Sequence, residues 1–138
     1  MTETMRKERK GMFLIDNQSR LAVYEQIIAQ AERFILTGIL KSDEMMPSVR
    51  SLSLTLAINP NTIQKAYSDL ERRGITYTVK GKGSFVSPSA AEILSRERLK
   101  ELDRVRSLSH ELAIAGIDKK LVYEAVDKGY SEKGDEQN

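Results

Sequence analysis

Two amphipathic helical patterns separated by a three-residue corner constrain this chain more than any other feature. Ser48 to Leu56 repeats apolar side chains at Val49, Leu52 and Leu56, the spacing of one helix face. Ser48 can act as the N-cap of that helix, with Pro47 just before it. After the corner Leu56-Ala57-Ile58 the pattern restarts. Asn59 offers a capping side chain, and Pro60 stands where a missing N–H costs nothing. Ile63, Ala66, Tyr67 and Leu70 make the second stripe, and Gly74 supplies the residue that ends it. The opposite face carries Asn61, Gln64, Lys65 and Ser68. Those side chains have the chemistry of a base reader.

After Gly74 the period turns from helical to alternating. Ile75, Tyr77 and Val79 point one way and Thr76, Thr78 and Lys80 the other, which predicts a strand. Lys80-Gly81-Lys82-Gly83 reads as a turn in which glycine permits positive φ and close backbone approach. Ser84-Phe85-Val86 would return as a second strand. The fold class is therefore mainly α with a small β wing: a winged helix-turn-helix, whose chemistry suits DNA.

These residues resemble a known family. Pro47-Ser-x-Arg50-x-Leu52, Asn59-Pro-Asn-Thr62-Ile-x-x-Ala-Tyr67-x-x-Leu70-Glu-x-x-Gly74 and Gly81-x-Gly83-Ser-Phe-Val86 look like the GntR family of bacterial transcription regulators. Asn-Pro-Asn-Thr and Ala-Tyr together, with only a short C-terminal segment, look most like its YtrA subfamily. The resemblance extends from about Phe13 to Tyr130. It implies a helical dimerisation unit and a repressor acting near transporter genes. The sequence departs from the family at Ala57, where glycine is common, and at Pro60, where many members carry a basic residue. If Ala57 is left-handed, alanine there costs about 1 kcal/mol relative to glycine.

The division of charge supports this reading. Residues 1–86 carry 13 Lys/Arg against 9 Asp/Glu, a net of +4, and residues 87–138 carry 9 against 11, a net of −2. Only the first part is expected to face a polyanion. The residues expected to touch DNA are Arg50 and Ser48 at the start of the first motif helix; Asn59, Asn61, Thr62, Gln64 and Lys65 on the second; and Lys80, Gly81 and Lys82 at the wing tip. Amide side chains suit adenine, lysine suits guanine or phosphate, and a threonine hydroxyl fits a phosphate.

Upstream, Phe13 to Asp16 is expected as a short strand and Asn17 to Arg20 as a turn. A helix over about Ala22 to Thr37 carries Tyr24, Ile27, Ile28, Ala31, Phe34 and Ile35 as a core stripe, and Gly38 closes it. Met45 and Met46 are read as packing residues. The winged helix-turn-helix domain is thus placed at 12–87. Residues 1–11, with Arg6, Lys7, Arg9 and Lys10, are expected as a solvated tail, with phosphate contact as the alternative.

Pro88 and Ser89 form the joint to a helical hairpin over 88–130, and 131–138 are expected as a second flexible tail. From about Ala90 to Ala115 the chain reads as one long helix, which Gly116 breaks. Asp118 then caps a second. Leu94, Leu102, Val105, Leu108 and Leu112, with Leu121, Val122 and Val126, are the expected dimerisation residues, because so small a helical pair cannot bury both stripes alone.

Other functions find little in the sequence. Cysteine is absent and His110 is the only histidine, which argues against a zinc site or a histidine-activated nucleophile. Gly81-x-Gly83 is followed by a strand rather than the helix a nucleotide loop needs. No cofactor, membrane contact or secretory signal is expected, so the location is read as cytoplasmic, and nothing marks a small-molecule effector pocket. The expected function is a homodimeric repressor on a palindromic operator. The alternatives are a winged-helix protein-interaction module and a detached fragment of an aminotransferase-like regulator.

Overall fold

The expected stripe between Ala22 and Thr37 folds as helix α1 (Val23–Leu36), with Ile27, Ala31 and Ile35 buried. The computed structural model describes residues 13–136, so the expected tail over 1–11 lies outside the described residues. The corner motif forms α2 (Val49–Leu56) and α3 (Pro60–Arg72). A hairpin of β1 (Thr76–Val79) and β2 (Gly83–Val86) follows, then α4 (Ala90–Arg98), α5 (Glu101–Ile114) and α6 (Lys119–Glu136).

The helix ends are built as their sequences dictate. Ser48 Oγ accepts the Ser51 N–H at 3.0 Å, and Asn59 Oδ1 accepts the Asn61 N–H at 2.8 Å. Each satisfies a backbone donor that the first helical turn leaves unpaired. Between them Ala57 is left-handed, with φ 55° and ψ 45°. The Ile58 N–H returns to the Ser53 carbonyl at 3.1 Å, so the corner closes through a strained alanine. At the far end of α3, Gly74 has φ 80°, and a Cβ there would lie 3.4 Å from Ile93 Cδ1.

Helix α3 is the hub of the winged helix, packing against α1, α2 and β1. Ile63, Ala66, Tyr67 and Leu70 are buried in it as the stripe predicts. The Tyr67 phenol donates to the Pro47 carbonyl at 2.6 Å, and burial pushes the phenol well above the ordinary tyrosine range. Half-buried Arg73 reaches Glu32 of α1 at 2.6 Å and Asp69 at 3.0 Å.

The hairpin is antiparallel, with Thr76 opposite Val86 and Val79 opposite Gly83. Ile75 is buried in the turn leaving α3, so alternation starts one residue later than expected. Thr76, expected to face outward, is buried with Val86, while Tyr77 and Phe85 stack with ring centroids 5.6 Å apart. The segment before α2 lies along β2. The Asp43 N–H donates to the Val86 carbonyl at 2.7 Å and the Met46 N–H to the Ser84 carbonyl at 2.8 Å. Met46 is buried as expected, whereas Met45 remains 37% exposed.

Residues 13–16 are not a strand. Their backbone partners are side chains of α1: Gln30 Oε1 accepts the Leu14 N–H at 2.8 Å and Gln26 Oε1 the Asp16 N–H at 2.9 Å. Four helical residues rise about 6 Å and two extended ones about 6.6 Å, so glutamines at i and i+4 match alternate residues of an extended chain. Phe13 is thereby held edge-on to Phe34, with centroids 5.0 Å apart.

The chain divides into two compact units, Met1–Ser95 and Arg96–Asn138. The first extends past the joint expected at Pro88, because Ala90 and Leu94 are buried in its core. Leu94 is therefore not on the dimerisation stripe where its spacing placed it. The single helix expected from Ala90 to Ala115 is two, interrupted at Leu99-Lys100. There the Leu99, Leu102 and Asp103 N–H groups take carbonyls three residues back. Asp118 caps α6 as expected, its Oδ1 accepting the Lys120 N–H at 2.8 Å. Helix α6 runs on to Glu136, so residues 131–136 are helical rather than tail.

Candidate nucleic-acid interface

The face of α3 opposite the core is polar and open. Asn61, Gln64, Lys65 and Ser68 are exposed, and Thr62 is half-buried at the flank. Gln64 Nε2 donates to Ser68 Oγ at 3.2 Å, one helical turn on, which fixes the amide along the helix axis. Lys65 Nζ sits 3.9 Å from the centre of the Tyr24 ring on α1.

Arg50 is exposed in the first turn of α2, and Lys80 and Lys82 are exposed between the wing strands. The wing turn is closed by the Lys82 N–H on the Val79 carbonyl at 2.9 Å. Gly81 has φ 79°, the positive value a type II turn requires at its third residue. Ser48 and Asn59 use their side-chain oxygens as helix caps, Ser48 at the end of α2 away from the corner and Asn59 at the start of α3 beside it.

Three features escape a reading of stripes and faces. Tyr24 belongs to the core stripe by spacing, yet its ring is also the seat of Lys65. The Tyr67 hydroxyl is invisible in an apolar pattern. Tyr77 donates to Asp43 Oδ1 at 2.8 Å, across a separation that no local period reports. The Asp43 hydrogen bond, ahead of desolvation and the carboxylate charge, raises the Tyr77 pKa.

A short helix pair at a tight corner, a buried hub helix with one polar face, and a wing with a cationic tip make a winged helix-turn-helix. The family model for bacterial regulatory proteins of the gntR family matches residues 23–86. The chain belongs to the GntR family and is a winged-helix transcription regulator, not an enzyme. Within that family it is similar to the HTH-type transcriptional repressor YtrA of Bacillus subtilis (strain 168), with 36% identity over 114 residues, 82% of this chain and 88% of that protein.

Solved structures agree. A GntR family transcriptional regulator from Listeria monocytogenes superposes with a TM-score of 0.67 at 32% identity, covering 83% of this chain and 98% of the other. YtrA from Sulfolobus acidocaldarius, a GntR-family transcription factor, gives 0.58 at 30% identity over 71% of this chain and 98% of its own.

Proposed function

We propose that this regulator is a homodimeric repressor that binds a two-fold-symmetric operator near its own gene, in a transporter-type operon, in the cytoplasm. The polar face of α3 enters the major groove, with Asn61 and Gln64 at base edges and Thr62 and Lys65 beside them. Arg50, the capped helix starts at Ser48 and Asn59, and the wing residues Lys80, Gly81 and Lys82 approach the backbone. Residues up to Ser95 bind DNA and the following helices join two copies.

One observation carries the dimer. Among the described residues no apolar side chain after Leu94 is buried, and Leu102, Leu108 and Leu121 are each more than half exposed. Helices α5 and α6 instead line an apolar groove with Val105, Leu108, Leu112, Leu121, Val122 and Val126. A helical pair with no core of its own needs a partner surface, and a second copy offers the same stripe by symmetry. The repressor role is supported by the likeness to YtrA of Bacillus subtilis.

Footprinting on the promoter region of the chain's own gene tests the function. Two protected half-sites about one helical turn apart, mirrored in sequence, are expected. Absence of any protected duplex at low salt would leave the protein-interaction alternative.

A further inference from the structure

Lys65 is the cation of α3 whose setting differs from that of its neighbours. At 3.6 residues per turn it lies about 100° round the helix from Gln64. Gln64 bonds along the axis to Ser68, whereas the Lys65 ammonium leans to the α1 side, 3.9 Å from the Tyr24 ring centre. The two side chains flank the ridge through Asn61 from opposite sides. Tyr24, Lys65, Ser68, Asp69 and Arg72 line one open concavity there. The carboxylate in it is already taken: Asp69 pairs with Arg72 and, at 3.0 Å, with Arg73.

An aromatic face attracts an ammonium through its quadrupole. Unlike a carboxylate, it neither neutralises the charge nor uses up the three N–H donors. It also limits the rotamer freedom that a long lysine stem otherwise loses on binding. We propose that Tyr24 is a positioning residue for DNA binding, holding Lys65 at the α1 edge of the recognition helix, where the ammonium meets a backbone phosphate rather than a base edge. The inference rests on duplex binding by α3. It makes α1 a contributor to the interface as well as to the core.

The test is a salt titration of the full-length protein on operator and scrambled duplexes, with unfolding curves run alongside. Wild type is measured first. If it lacks salt-dependent duplex affinity, the DNA-binding assignment falls and this inference with it. Lys65→Ala should weaken both duplexes alike and lower the salt slope by about one unit per half-site. Tyr24→Phe keeps the ring and should bind within about twofold of wild type, whereas Tyr24→Leu and Tyr24→Met remove it and should cost two- to fivefold per half-site, roughly the range of an exposed cation–aromatic contact.

The pairing of Tyr24→Leu with Lys65→Ala should bind no more weakly than Lys65→Ala alone, because the ring acts only through the lysine. Three results would overturn the proposal. One is ring-deleted variants that bind like wild type while Lys65→Ala loses affinity. Another is losses that multiply in the double variant. The third is a Lys65→Ala loss confined to the operator, which would make the lysine a base reader.

Discussion

Tyr67 in the middle of α3 donates its phenol hydrogen to the carbonyl of Pro47, 2.6 Å away and twenty residues earlier. Pro47 immediately precedes the Ser48 cap of α2, so this one bond ties the hub helix to the start of its partner. Both residues are buried. Arg50 in the first turn of α2 and the polar face of α3 are thereby held in one frame.

Tyr67→Phe should leave the ring packed and the Pro47 carbonyl without its partner, at a cost of about 1–3 kcal/mol. Chemical denaturation measures it. The burial of the same phenol predicts a pH dependence. Burial raises the folded-state pKa above the unfolded value of 10.0, so the folded state holds the proton longer. The stabilisation from keeping that proton is complete below about pH 10 and declines as pH rises further. Tyr67→Phe should show less of that alkaline loss than wild type; an unchanged alkaline profile would contradict the assignment.

Ala57 sits at φ 55°, a left-handed position that penalises a Cβ. Ala57→Gly should relieve it and stabilise the protein by about 0.5–1 kcal/mol, somewhat offset by the greater freedom of glycine in the unfolded chain. The denaturation midpoint should rise with an unchanged slope. A lower midpoint would mean that the corner does not store this strain.

Leu108 and Leu121 are exposed in the single chain, at 61% and 56%, so a charge there disturbs no core of the protomer. Leu108→Glu or Leu121→Glu should convert the proposed dimer to monomer in sedimentation velocity and reduce operator affinity, while the Met1–Ser95 unit unfolds as before. A dimer that survives both substitutions would place the joining surface elsewhere.

The sequence made the winged helix legible because its signals are local. Caps at Ser48 and Asn59, the stripes of α1 to α3 and the glycines at 74 and 81 each act within a turn or two. What it hid depends on distant partners. Phe13 to Asp16 has a strand-like pattern, but glutamine side chains of α1 supply its ladder in place of a second strand. Leu94 and Leu102 continue one helical period, and neither glycine nor proline marks the turn at Leu99-Lys100 that separates them. Leu94 is buried with the first unit as a result. In the interface, spacing alone found the polar face of α3, but not the Tyr24 ring beneath Lys65.

The central claim is that phosphate anchoring and base reading fall to different residues of one interface. A salt titration of wild type, Arg50→Ala, Lys80→Ala, Asn61→Ala and Gln64→Ala on operator and scrambled duplexes tests it. Losing a phosphate contact releases fewer counterions, so Arg50→Ala and Lys80→Ala should weaken both duplexes alike and flatten the salt slope by about one unit per contact. Asn61→Ala and Gln64→Ala should leave the slope nearly unchanged, cost about 1–3 kcal/mol on the operator alone and blur one mirrored position in each half-site. Equal losses on operator and scrambled duplexes for Asn61→Ala and Gln64→Ala would contradict the account.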